Sequence, residues 1–149
     1  MTMKFEGRKG LDEAMLAILE NLVGFRLPPD YRLFLRRSDG GSFIGGYPEF
    51  SQGTIGTICC DSLFGMSMPQ SLNLEFWYKE MTNEIPRDSL LIGKDPSGGF
   101  FLLCCDPEFS GVYYYDHCYH FPTSNDAENT YLITENFGQF ARFIGINMA

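Results

Sequence analysis

No stretch of the chain is apolar for long enough to span a bilayer; Gly, Pro, Ser and Asn interrupt every uncharged run. The opening MTMKFEGRKG has basic residues but no apolar segment behind them, so it does not read as a secretory signal. The expected compartment is the cytoplasm, and no membrane partner is expected. Positive charge is scarce too. Lys plus Arg total 11 against 19 Asp plus Glu, for a net charge of -8. Nucleic-acid backbones are gripped by cations, so general nucleic-acid binding is disfavoured and a basic protein is the better electrostatic partner. No glycine cluster matches GxGxxG or a P-loop. The run GGSFIGG lacks the Lys-Ser or Lys-Thr that phosphate needs, and reads as an irregular surface loop.

What remains is one domain's worth of ordinary globular sequence. The 149 residues are 44% hydrophobic and 20% charged. A chain of that length hides roughly 68–70% of its extended surface on folding. The charge is uneven: residues 1–37 carry seven basic and five acidic side chains, residues 38–149 four and fourteen. A partner surface is therefore sought in the later part. The five cysteines include two adjacent pairs, Cys59–Cys60 and Cys104–Cys105. Without an export signal they read as free thiols, mostly buried.

Helical spacing runs through residues 11–22, where Leu11, Ala14, Met15, Ile18, Leu19 and Leu22 form one face and Gly24 ends it. A second helix is predicted from Pro28 to Arg37, with Tyr31, Phe34 and Leu35 inward and Asp39–Gly40–Gly41 as its stop. Residues 42–68 read as Gly-rich and irregular, apart from a short strand through 54–58. Residues 69–83 resume helical character, with Leu72 and Phe76 on one side and Trp77 and Met81 on an adjacent stripe. Strands follow at 89–93, 99–105 and 112–121, the last two joined by the DPEFSG turn as an antiparallel hairpin. Val112 and Tyr114 face one way, Tyr113 and Tyr115 the other. PTSNDAEN reads as a polar linker, and TENFGQFARFIG as a closing helix. The order says α+β, a mostly antiparallel sheet packed with helices.

The residues Gly24, Leu27, Pro28, Asp30, Tyr31, Phe34, Leu35, Gly40 and Gly41 closely resemble a motif of the SUKH superfamily, the Smi/Knr homology group. Asp39 stands where Asn is common in that group. Ser62-Leu63-Phe64-Gly65, Ile92-Gly93, Val112 to His117 and Phe137 to Phe143 resemble later parts of the pattern, so the likeness covers nearly the whole chain as a single SUKH-like domain. The resemblance implies an α+β fold, no cofactor and no catalytic set. It also implies a bacterial immunity protein that binds and neutralises a cognate polymorphic toxin domain, often a nuclease. The alternative is a non-enzymatic regulatory scaffold like the fungal cell-wall regulators.

Chemical readings of the same residues are weaker. Cys104, Cys105, Asp106, His117, Cys118 and His120 could approach one another, but adjacent strand residues point to opposite faces, which argues against a zinc tetrahedron. A thiol catalyst at Cys118 lacks a third group, and Asp106 with Glu108 sits in a turn where solvated acids are ordinary. A small enzyme is thus the last of the three readings. The residues expected to bind a basic toxin domain are Trp77, Asp106, Glu108, Tyr113, Tyr115, Asp116 and Tyr119, because tyrosines anchor interfaces while acids orient them. Tyr115 is preferred to Tyr114 as the exposed anchor, although periodicity does not say which row turns inward. A weak homodimer is compatible with the same surface.

Overall fold

The computed structural model of the chain describes residues 3–116 and 130–148. Asp12 opens α1 (Glu13–Val23) by accepting the Met15 N–H, and Gly24 closes it at φ 80°. α2 (Pro29–Arg37) starts on proline and buries Tyr31, Phe34 and Leu35. The expected stop at Asp39–Gly41 proves to be something else. The helix ends at Arg37, and Ser38–Ile44 continues directly as strand β2. It pairs antiparallel with β1 (Lys4–Lys9), an element the sequence reading lacks. The first five residues of GGSFIGG are therefore strand rather than loop. Its glycines allow close approach: a Cβ on Gly41, at φ 157°, would lie 2.6 Å from the Glu6 carbonyl oxygen.

β3 (Glu49–Gln52) and β4 (Gly56–Cys59) form a separate two-stranded hairpin. The short β5 (Ser62–Leu63) is followed by a 3-10 turn at Gln70–Leu72 and by α3 (Leu74–Met81). The helix predicted over 69–83 is shorter than expected because Asn73 interrupts it. The Asn73 side chain accepts the Phe76 N–H, and Leu74 and Met81 are the buried positions. β6 (Ser89–Lys94), β7 (Phe100–Cys104) and β8 (Gly111–Tyr115) come next, then β9 (Thr130–Thr134) and α4 (Phe137–Phe143). β9 is a second strand missed from sequence, since it abuts a polar stretch and is only five residues long. The large sheet runs β1-β2-β5-β6-β7-β8-β9, with antiparallel neighbours throughout. This is the α+β architecture the element order implied, an antiparallel sheet packed with helices, with the β3–β4 hairpin as a second, small sheet.

Alternation along β7 sends its rings to opposite faces. Phe101 meets Phe140 of α4 at 5.1 Å between centroids, Phe50 of β3 at 6.0 Å and Tyr114 of β8 at 5.8 Å. Phe100 meets Trp77 of α3 at 4.9 Å and Phe64 at 6.3 Å. α4 closes onto α2 through Phe137, whose ring lies 4.9 Å from Tyr31 and 5.3 Å from Phe34. Each such ring buries apolar area worth about 1.5–3 kcal/mol.

Asp39 is fully buried. Its carboxylate accepts the Met66 N–H at 2.6 Å, the Ser67 N–H at 2.9 Å and the Ser67 hydroxyl. The Asp-Gly-Gly run is thus a staple between β2 and the loop after β5. Gly65 fits under it, because a Cβ there would lie 2.1 Å from the Asp39 carbonyl oxygen.

Candidate functional site

The β7–β8 turn is built by Asp106. Its side chain accepts the Glu108 N–H at 2.9 Å, and its carbonyl accepts the Phe109 N–H at 3.1 Å. This turn leaves Phe109 at the tip, 58% exposed. Gly111, at φ 153°, returns the chain into β8. Two residues on, Tyr113 donates its hydroxyl to the Phe109 carbonyl at 2.7 Å, so the ring props the turn from the sheet. Leu132 of β9 lies directly opposite Tyr113 and is 48% exposed. Phe109, Tyr113 and Leu132 thus share one end of the sheet, bordered by the Asp106 and Glu108 carboxylates. Asp88 is close by, since its carbonyl accepts the Cys105 N–H at 2.8 Å. The neighbouring cation, Arg87, stands 3.9 Å from Asp88 and is 90% exposed. Exposed rings with fixed acids around them can bind another protein's surface.

The structure sorts the expected residues. It brings Asp106, Glu108 and Tyr113 together and sets three others apart. Tyr115 is not an exposed anchor: it is 2% exposed and donates its hydroxyl to the Glu84 carbonyl at 3.4 Å. Tyr113 and Tyr115 share a face, but the segment after α3 covers Tyr115. Tyr114, on the other face, is buried against Phe101. Trp77 is a packing residue rather than a free surface ring. It stacks on Phe64, crosses Phe100, and donates its indole N–H to the Ser71 carbonyl at 2.9 Å. Asp116 belongs to the other side of β8. There it lines a cleft of about 460 Å³ with Asp95, Ser97 and Tyr114. Tyr119, His117, Cys118 and His120 lie outside the described residues. Phe109 and Leu132 were missed. Phe109 carried a signal, a lone aromatic inside an Asp-Pro…Gly turn, whereas Leu132 needed the unrecognised β9.

The described thiols are free: Cys60 and Cys104 are buried, Cys59 and Cys105 half-buried. Burial pushes the Cys105 thiol up to about 12, with the negative surroundings of Cys104 and Asp88 adding to it. Burial likewise raises Cys60 well above the ordinary thiol value. Both are poor nucleophiles at neutral pH. Among the described residues no three His, Cys, Asp or Glu side chains gather where they could hold a metal ion. No helix among them is long and apolar enough to cross a membrane.

No curated protein matches the chain. Residues 10–142 do match the model of the SMI1 / KNR4 family (SUKH-1), a span from the residue before Leu11 into α4 that contains both the Gly24–Gly41 motif and the β7–β8 turn. The chain therefore belongs to the SMI1/KNR4 (SUKH-1) family.

Proposed function

We propose that the protein is an immunity protein, which neutralises a basic toxin domain, such as a nuclease, by stoichiometric binding and without chemistry of its own. The carrying observation is the β7–β8 turn, where Phe109 is presented on a side chain–stapled loop with Tyr113 behind it and Asp106 and Glu108 beside it. The large exposed ring supplies an anchor, and the acids attract and orient a cationic surface. The net charge of -8 adds long-range attraction to the same partner. The reading places the complex in the cytoplasm.

The test is a kinetic binding series with the cognate toxin domain, sought among the products of neighbouring genes. Glu108→Gln is expected to slow association and flatten its salt dependence. Phe109→Ala is expected to raise the off-rate, by the equivalent of about 2 kcal/mol for an anchor. Inhibition of the toxin should saturate at equal concentrations of the two proteins. Unchanged rates in both folded variants, or inhibition at far below equal concentration, would overturn the reading.

A further inference from the structure

The opposite edge of the sheet has opposite charge. Among the described residues β1 is outermost and pairs with β2 alone. All its residues are exposed except the half-buried Phe5. Lys4, Arg8 and Lys9 stand on it against one acid, Glu6. None of the three cations forms an ion pair among the described residues. The pairing shifts register between Gly7 and Lys9, and there the Arg8 N–H is held by the Ser38 hydroxyl oxygen at 3.0 Å. The Ser38 hydroxyl in turn donates to the Gly40 carbonyl at 2.7 Å, so the edge is fixed in shape. A cleft of about 450 Å³ opens beside it, with Phe5 and Phe34 among its walls and Arg8 and Arg37 at its rim. At the strand's start, Met3 and Ile44 are each 44% exposed, with Ile44 directly opposite Lys4.

We propose that this edge receives an extended acidic segment of a partner protein, which adds to β1 as a further strand and places one apolar side chain in the Phe5–Phe34 cleft. An outermost strand offers main-chain donors and acceptors to an incoming strand, and a pocket beside it reads an alternate side chain. Charge decides the occupant. A second copy pairing through β1 would bring together two strands that each carry three cations and one acid, a net of +2 on either side, which is unfavourable across strands. A nucleic acid would meet three cations locally and a molecule of net charge -8 beyond them. A short acidic strand makes the local ion pairs and the main-chain bonds at once. The proposal does not rest on the immunity reading, since it uses the other edge of the sheet.

The test is selection of linear dodecapeptides from a phage-displayed library on the full chain, followed by synthesis of the selected peptide. Selected sequences are expected to carry acids at alternating positions around an apolar residue. Binding, read by fluorescence anisotropy, should weaken at least about tenfold in Arg8→Glu/Lys9→Glu and by less in Arg8→Gln/Lys9→Gln, with unchanged circular dichroism. Hydrogen exchange should slow at residues 4–9 when the peptide binds. Glu108→Gln should leave the affinity unchanged, which separates this edge from the toxin-binding turn. Selection without acidic enrichment, binding that survives the double reversal, protection elsewhere than β1, or equal competition by a single-stranded oligothymidylate would each overturn it.

Discussion

Removing the Asp39 carboxylate is the sharpest perturbation of the scaffold. Asp39→Ala deletes three charge-assisted hydrogen bonds at once, from the Met66 N–H, the Ser67 N–H and the Ser67 hydroxyl. Ser67 is exposed, so its two donors can turn to water at little cost, whereas Met66 is half-buried and its N–H is left short of a partner. A buried orphaned donor costs about 1–3 kcal/mol, and the small cavity left under Gly65 adds to that, so the expected loss is about 2–4 kcal/mol. For a chain of this size that lowers Tm by roughly 5–15 °C. Asp39→Asn keeps one acceptor but must turn an amide N–H₂ toward donors on one side, and should lose about half as much. Urea unfolding followed by the fluorescence of the single tryptophan, Trp77, measures both. The denaturant slope should not change, because the folded surface does not. A loss below about 0.5 kcal/mol for Asp39→Ala, or equal losses for Ala and Asn, would refute the staple.

Phe34→Ala should cost about 3–5 kcal/mol in the same assay, since the ring is 2% exposed between Phe5 and Phe137. Tyr31→Phe should instead raise stability by about 1 kcal/mol, because the buried Tyr31 hydroxyl has no hydrogen-bond partner among the described residues; a loss of that size would show a partner exists. For Glu20, burial alone would raise the carboxyl, but the Leu27 N–H at 2.8 Å and the Arg32 guanidinium outweigh it and hold it below the ordinary carboxylate range. An acid with a depressed folded pKa stabilises above its unfolded value and loses that contribution as pH falls through the folded one. Urea midpoints of Glu20→Gln should therefore fall less than those of the wild type between neutral and acidic pH. Cys60 and Cys105 should react with a thiol reagent at mildly alkaline pH only after urea unfolding, as counted by absorbance and mapped by mass spectrometry; rapid labelling in the native protein would contradict the burial of Cys60 or the raised thiol of Cys105.

Helices α1, α2 and α4 were legible because apolar residues recur at helical spacing, and Gly24 and Pro28 mark the end of the first and the start of the second. β7 and β8 were legible as apolar runs flanking an Asp-Pro…Gly turn. β1 and β2 were not. KFEGRK is almost wholly exposed, and SDGGSFI carries glycines demanded by a neighbouring backbone rather than by a turn. Tertiary approach, which local propensity does not encode, decided that region. At the candidate site, the acids and the tyrosine row could be read, and the row's orientation could not. Tyr113 and Tyr115 obey the same alternation. Their different exposure depends on the segment after α3, which reaches Tyr115 through the Glu84 carbonyl and leaves Tyr113 at the rim. The packing of Trp77 on Phe64 and Phe100 was not legible either, because a lone tryptophan near acids carries no sign of the rings it meets.

The latch of Phe137 on Tyr31 and Phe34 has a consequence for how the chain is made. A ribosome at about 5–20 residues per second delivers the rings of α2 roughly 100 residues, and so about 5–20 s, before the ring that covers them. In that interval α1 and α2 can form turn by turn, but their aromatic side has no α4 to close it. The nascent chain therefore displays Tyr31 and Phe34 until residue 137 has emerged, and this is the window in which a chaperone that reads aromatic surface would bind. Synthesis slowed between residues 38 and 136 lengthens that exposure, while the same delay after residue 144 leaves it unchanged, because the ring that covers Tyr31 and Phe34 is then already made.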